Sequence, residues 1–139
     1  MVMMGIDLGT VRTGISLCDK DEILAYPFCV IEETDSEKLS NRIVEICKKN
    51  NVERILIGYP KNMDGSVGER ALRSESFKKL LSKYFDKEII LWDERLTTVC
   101  SQKNFRSLNI NSRKQKKIID KASATVLLQS YMNSKPNKI

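Results

Sequence analysis

Histidine is missing from all 139 residues. Its absence removes Ser-His-Asp and Cys-His catalysis, histidine-ligated zinc and imidazole general bases in one step. Chemistry near neutral pH then falls to carboxylates, most simply through hard cations such as Mg²⁺ or Mn²⁺. Long apolar runs are missing too. None approaches the roughly 20 residues of a membrane span, and the N-terminus has neither the basic start nor the apolar stretch of a secretory signal. Cys18, Cys29, Cys47 and Cys100 form no C-x-x-C pair. Three of them lie in apolar stretches, where a reduced, buried thiol is expected. These absences predict a cytoplasmic protein that makes no use of a membrane. Aromatic residues are only 6% of the chain, which argues against a base-stacking platform for single strands.

What is present fits one globular domain spanning 1–139, with about 133–139 as a frayed tail. Apolar residues make up 41% and charged residues 30%, enough for a core without staples. The net charge of +6 is uneven. Residues 1–70 carry 9 Lys/Arg against 12 Asp/Glu, whereas residues 71–139 carry 15 against 6. A surplus of nine positive charges in the second half suggests a face for a polyanion, although a solvated basic surface would look alike.

The apolar pattern predicts strands at Val2–Leu8, Ile15–Cys18 and Ile23–Ile31, joined as an antiparallel meander, with Pro27 marking the third as an edge. Alternating helix and strand follow. Thr34-Asp35-Ser36-Glu37 has capping-box spacing ahead of Leu39, Ile43, Ile46 and Cys47. Asn50-Asn51 ends that helix, and Arg54–Gly58 is a buried strand. After a polar loop from Tyr59 to Gly68, a helix carries Phe77, Leu80, Leu81 and Tyr84 on one face. Glu88–Trp92 is the fifth strand. A short helix near Thr98–Phe105 and a longer one over about Arg113–Met132 complete the chain. This α/β order predicts a mixed five-stranded sheet, 3-2-1-4-5, flanked by helices. Its switch point beside strand 1 is where ligands gather.

Three carboxylates are candidates for chemistry. Asp7 sits inside an apolar strand, where an unpaired charge costs several kcal/mol. Arg12 is a possible structural partner, but Gly5 and Gly9 leave bare backbone beside Asp7 and favour a metal or phosphate. Glu94 lies just past strand 5; Asp93, facing the other way, is the alternative. Asp120 lies in the last helix, where Ser123 and Ala124 permit close approach to the sheet. A solvated Asp120 paired with Lys116 or Lys117 is the plainer reading.

The chain resembles, end to end, the YqgF-type family of Holliday-junction resolvases, also described as pre-16S rRNA processing nucleases, of the RNase H-like superfamily. The matching blocks are Gly5-Ile6-Asp7-Leu8-Gly9-Thr10, Gly58-Tyr59-Pro60-Lys61-Asn62-Met63-Asp64-Gly65-Ser66, Asp93-Glu94-Arg95-Leu96-Thr97-Thr98-Val99 and Asp120-Lys121-Ala122-Ser123-Ala124. The resemblance implies an RNase H-like fold. It also implies that Asp7, Glu94 and Asp120 form an acidic cluster for Mg²⁺ or Mn²⁺, and that the activity is endonucleolytic cleavage leaving 5′-phosphate and 3′-hydroxyl ends. RNA or branched DNA is the implied partner, met by a monomer or a weak homodimer. Lys61, Asn62 and Arg70, around the polar loop, are candidate phosphate contacts. So are Arg12, Arg95, Lys114 and Lys117, all of which position a backbone rather than read bases.

Two other readings fit parts of the chain. Asp7-Leu8-Gly9-Thr10 followed by Gly14 also looks like the first phosphate loop of an ATP-binding protein of the actin and sugar-kinase type, although no second loop is visible. A non-catalytic RNA-binding or transcription-associated factor would keep the fold without the cleavage.

Overall fold

The computed structural model describes residues 1–60, 67–93 and 112–134, with 112–122 described as helix backbone only. Its strands are β1 (Val2–Asp7), β2 (Arg12–Cys18), β3 (Ala25–Glu32), β4 (Val52–Tyr59) and β5 (Glu88–Asp93); its helices are α1 (Ser36–Asn50), α2 (Glu69–Leu81) and α3 (Ser112–Ser134). The sheet order is β3-β2-β1-β4-β5, as the sequence predicts. The first three strands are antiparallel neighbours, and β4 runs parallel to both β1 and β5. Pro27 lies on edge strand β3, where a missing N–H costs no ladder bond. Beside it the register slips between Ile15 and Ser16, leaving Phe28 as a bulge that further blunts the edge.

Alternation along the strands sorts the core into two layers. Met4, Ile6, Ile15, Ile55 and Ile57 pack with Leu39, Ile43 and Cys47 of α1 and with Phe77 and Leu81 of α2. Met3, Cys18 and Leu56 pack on the other face with Leu128 and Met132 of α3. Period-two alternation from Met3 through Gly5 therefore assigns Asp7 to the α3 face.

Helix ends depart from expectation in two places. Asp35, not Thr34, caps α1: its carboxylate accepts the Glu37 and Lys38 amides at 2.8 and 3.2 Å, satisfying two orphan donors at once. Asn51 ends α1 as expected, left-handed at φ 55°, with its N–H on the Cys47 carbonyl. Tyr84 is not on the buried face of α2. The helix closes at Ser82, whose Oγ donates to the Lys78 carbonyl, and Tyr84 follows in a turn with its hydroxyl donating to Glu37. The helix expected near Thr98–Phe105 lies outside the described residues. Asn133 and Ser134, expected to fray, still belong to α3. Cys18 and Cys47 are free thiols. Among the described residues no helix is long and apolar enough to cross a membrane.

Candidate active site

β1 ends at Asp7, on the carboxyl edge of the central strand, and the chain turns through Leu8–Val11 into β2. Asp7 is half-buried and borders a cavity of about 380 Å³, together with Gly9, Arg12, Arg70 and Arg73. Three arginines thus line the same cavity as Asp7. The turn is tightly fastened. Arg73 Nη2 donates to the Gly9 carbonyl at 2.8 Å, and the Gly9 amide donates to Thr13 Oγ1 at 3.4 Å. A Cβ at Gly9 would collide with the Arg12 carbonyl. Arg12 pairs with Glu32, its Nε 3.6 Å from Oε1.

Gly5 does not open space for a ligand, which corrects that part of the sequence reading, whereas Gly9 does border the cavity. Gly9 is needed by the turn itself. At Gly5 a Cβ would stand 2.5 Å from Ser16 Oγ, 2.8 Å from the Ala124 carbonyl and 3.0 Å from Leu128 Cβ. The space is filled by α3, whose Ala124 carbonyl also accepts the Ser16 hydroxyl at 2.8 Å. Small residues on helix and strand let the two backbones meet.

That meeting fixes where the turn carrying Asp120 falls. Ala124 and Leu128 both lie against Gly5, while Met132 shares a cluster with Met3, so α3 runs antiparallel to β1. One helical turn back from Ala124, a rise of about 6 Å, matches the step of about 6.6 Å from Gly5 to Asp7 along the strand. The backbone of Asp120 therefore stands level with Asp7. Further toward its N-terminus, α3 carries Arg113, Lys114, Lys116 and Lys117 past the end of β1, with no acid in its first turn.

Asp93 is the last residue of β5, paired with Tyr59. Ile89 and Leu91 pack in the α1/α2 layer, while Ile90 and Trp92 pack in the α3 layer. By the same alternation Asp93 faces away from the side of Asp7. Glu94, Arg95, Lys61 and Asn62 lie outside the described residues; Lys114, Lys117 and Asp120 contribute helix positions alone. Among the described residues no three acidic, cysteine or histidine side chains come together.

Several positions that shape the site were not singled out in the sequence. Arg73 stands one turn after Arg70, a spacing that puts both on one helical face and was readable. Ser16 and Trp92 were not. Trp92 packs edge-on against Tyr131 at 5.2 Å, and Tyr131 accepts a hydrogen bond from Arg54, which pairs with Glu88. These contacts tie α3 to β4 and β5. Tyr59 closes β4 with its hydroxyl donating to Glu75 at 2.6 Å, and that carboxylate pushes the phenol pKa upward.

The chain is similar to proteins named "Putative pre-16S rRNA nuclease". That of Desulforudis audaxviator (strain MP104C) is 39% identical over 135 residues, covering 97% of this chain and 96% of that protein. That of Bacillus subtilis (strain 168) is 36% identical over 136 residues, covering 96% and 99%. Among solved structures, Thermus thermophilus RuvC in complex with a Holliday junction substrate superposes with a TM-score of 0.58 at 9% identity, covering 99% of this chain and 97% of that one. Fowlpox virus resolvase with Holliday junction DNA gives 0.58 at 13% identity, covering 96% and 98%. At such identities the superpositions speak for the fold alone, which is RNase H-like. Residues 1–134 match the family described as RuvX, Holliday junction resolvase, and the chain belongs to that family.

Proposed function

We propose that the protein is a metal-dependent endonuclease that hydrolyses phosphodiester bonds in structured or precursor nucleic acid. Pre-16S rRNA and four-way DNA junctions are the substrate classes that its relatives' names suggest. One observation carries the reading: Asp7 ends the central strand inside an arginine-walled cavity, with the α3 turn of Asp120 brought level with it. Family membership favours this over the ATP-binding alternative.

The donor chemistry suits a hard divalent cation. Oxygen donors are what such ions prefer, and a histidine-free chain offers carboxylates for the work. Asp7, Glu94 and Asp120 would hold Mg²⁺ or Mn²⁺, which supplies Lewis acidity toward water and phosphate oxygens. Glu94 rather than Asp93 takes that role here, because Asp93 faces the opposite side of the sheet. Arg12 and Arg70 hold the substrate backbone against the cavity, and Lys61, Asn62, Arg95, Lys114 and Lys117 extend that contact along it. Such groups attract any phosphodiester chain and leave selection to its shape. Action in the cytoplasm, as a monomer or weak homodimer, completes the proposal.

The test is cleavage of labelled junctions, flayed duplexes and rRNA precursor fragments, with Mn²⁺ and with chelator. We expect cutting with the metal alone, and its loss in Asp7→Asn. Full cutting in chelator after dialysis would remove the metal from the mechanism. A destabilised Asp7→Asn that still cuts would remove Asp7 from the site.

A further inference from the structure

The three arginines of the cavity wall are held in different ways. Arg12 stands opposite Glu32, its buried Nε 3.6 Å from Oε1 and without a hydrogen bond. Arg70 has no acidic side-chain partner among the described residues. Arg73 also lacks one there, yet it is anchored: Nη2 donates to the backbone carbonyl of Gly9 at 2.8 Å, across 64 residues of sequence. Its side chain also borders a second, smaller cavity of about 120 Å³ formed with Leu8, Ser36 and Phe77. Arg73 is thus the partition between the two spaces. A neutral carbonyl fixes a guanidinium without neutralising it. One of its five donors is spent, the guanidinium is tethered to the turn, and four donors remain on a residue that lines Asp7's cavity.

We infer that Arg73 is the preorganised phosphate contact of this site, and that its bond to Gly9 couples that contact to the turn that follows Asp7. The inference rests on the nuclease reading for the identity of the anion, a nucleic-acid phosphate. Preorganisation is the point of the arrangement. A surface arginine must be ordered when the substrate arrives, whereas this one is ordered beforehand. The Gly9 bond also makes loop and arginine move together, so a phosphate seated on Arg73 stands at a fixed offset from Asp7.

The experiment measures binding in chelator, where no cleavage occurs. It uses fluorescence anisotropy of a labelled duplex and a labelled four-way junction over a range of salt. The proteins are wild type, Arg73→Met, Arg73→Lys and, as a control, Arg42→Ala on the exposed side of α1. Arg73→Met should bind about tenfold more weakly or worse, since charge-assisted hydrogen bonds are the strong ones. Its plot of log K against log salt on the duplex should be shallower by about 0.9, the weight of one phosphate contact. Arg73→Lys should keep the wild-type slope but lose affinity, because one ammonium cannot serve the Gly9 carbonyl and a phosphate with fork geometry. Arg42→Ala should match wild type. Wild-type affinity and slope in Arg73→Met, with faster amide exchange confined to residues 9–12, would make Arg73 a loop strut and overturn the inference. If Arg73→Met does not fold, wild-type affinity in Arg73→Lys overturns it equally. A wild-type protein that binds neither probe overturns the nuclease reading and this assignment together, whereas normal binding with an indifferent variant overturns the assignment alone.

Discussion

At Gly5 the sheet gives up a side chain so that α3 can come down onto its backbone. The Ser16 hydroxyl bridges the two, donating to the Ala124 carbonyl at 2.8 Å, and both atoms occupy the space that a Cβ at Gly5 would enter. Gly5→Ala must therefore move either a hydrogen-bonded serine or the helix. Overpacking of this kind costs about 1–3 kcal/mol, which thermal melts would read as a fall of several degrees. Because α3 also carries Asp120, we expect cleavage to fall further than stability does at a temperature where the variant is fully folded. Gly5→Ala combined with Ser16→Gly removes the nearest obstacle and should recover part of the lost melting temperature. A Gly5→Ala protein that melts like wild type would show that α3 sits less tightly on β1 than these distances state. The same pair shows what a sequence hides. Glycine beside a strand carboxylate reads equally well as room for a ligand or room for a helix, and only the neighbouring backbone decides.

Helix α3 is built against its own dipole. Its first turns hold Arg113, Lys114, Lys116 and Lys117 and no acid, yet a helix N-terminus carries partial positive charge and favours anions. Local stability does not explain that arrangement; on the proposed nuclease reading, a bound polyanion would. Replacing Lys114, Lys116 and Lys117 by Ala should leave the melting temperature unchanged or slightly raised while flattening the salt dependence of duplex binding, each lost contact removing about 0.9 from the slope. An unchanged slope would reduce the run to a solvated face. Elements were the most legible scale of this protein. All five strands announce themselves as short apolar runs, and Pro27 points to the edge it occupies. Competition between neighbours was not legible. Asp35 displaces Thr34 as the α1 cap because its carboxylate reaches two amides, and Tyr84 leaves the α2 face because Ser82 ends the helix first. For the site, spacing and resemblance brought Asp7 and Asp120 forward. The place of Arg73 on the Arg70 face of α2 was readable from spacing, but its bond to a carbonyl 64 residues away was not.

Across the whole molecule, each of the two core layers encloses a buried thiol. Cys47 lies between the sheet and α1, where burial pushes its pKa from 9.0 to about 12. Cys18 lies on the α3 side, and burial raises it as well, against a smaller opposing effect from the Met3 amide that donates to its sulfur. Tyr59 and Tyr84 shift the same way because they donate to Glu75 and Glu37. All four groups are acids whose neutral form the fold prefers. A raised folded-state pKa means that their contribution is complete below the unfolded value and is lost as pH climbs through the folded one. No histidine titrates at intermediate pH. Stability should therefore stay flat across the neutral range and fall as pH rises from about 9 toward 12, the window set by Cys47. For that residue the loss is on the order of a few kcal/mol. Urea melts at intervals from pH 7 to pH 11, on wild type and Cys47→Ala, provide the check. The variant should be less stable at pH 7, where it has lost a packed sulfur, and should close that gap as the solution becomes alkaline. Two curves that stay parallel to pH 11 would mean that the Cys47 thiol ionises in the folded protein as readily as in the unfolded chain.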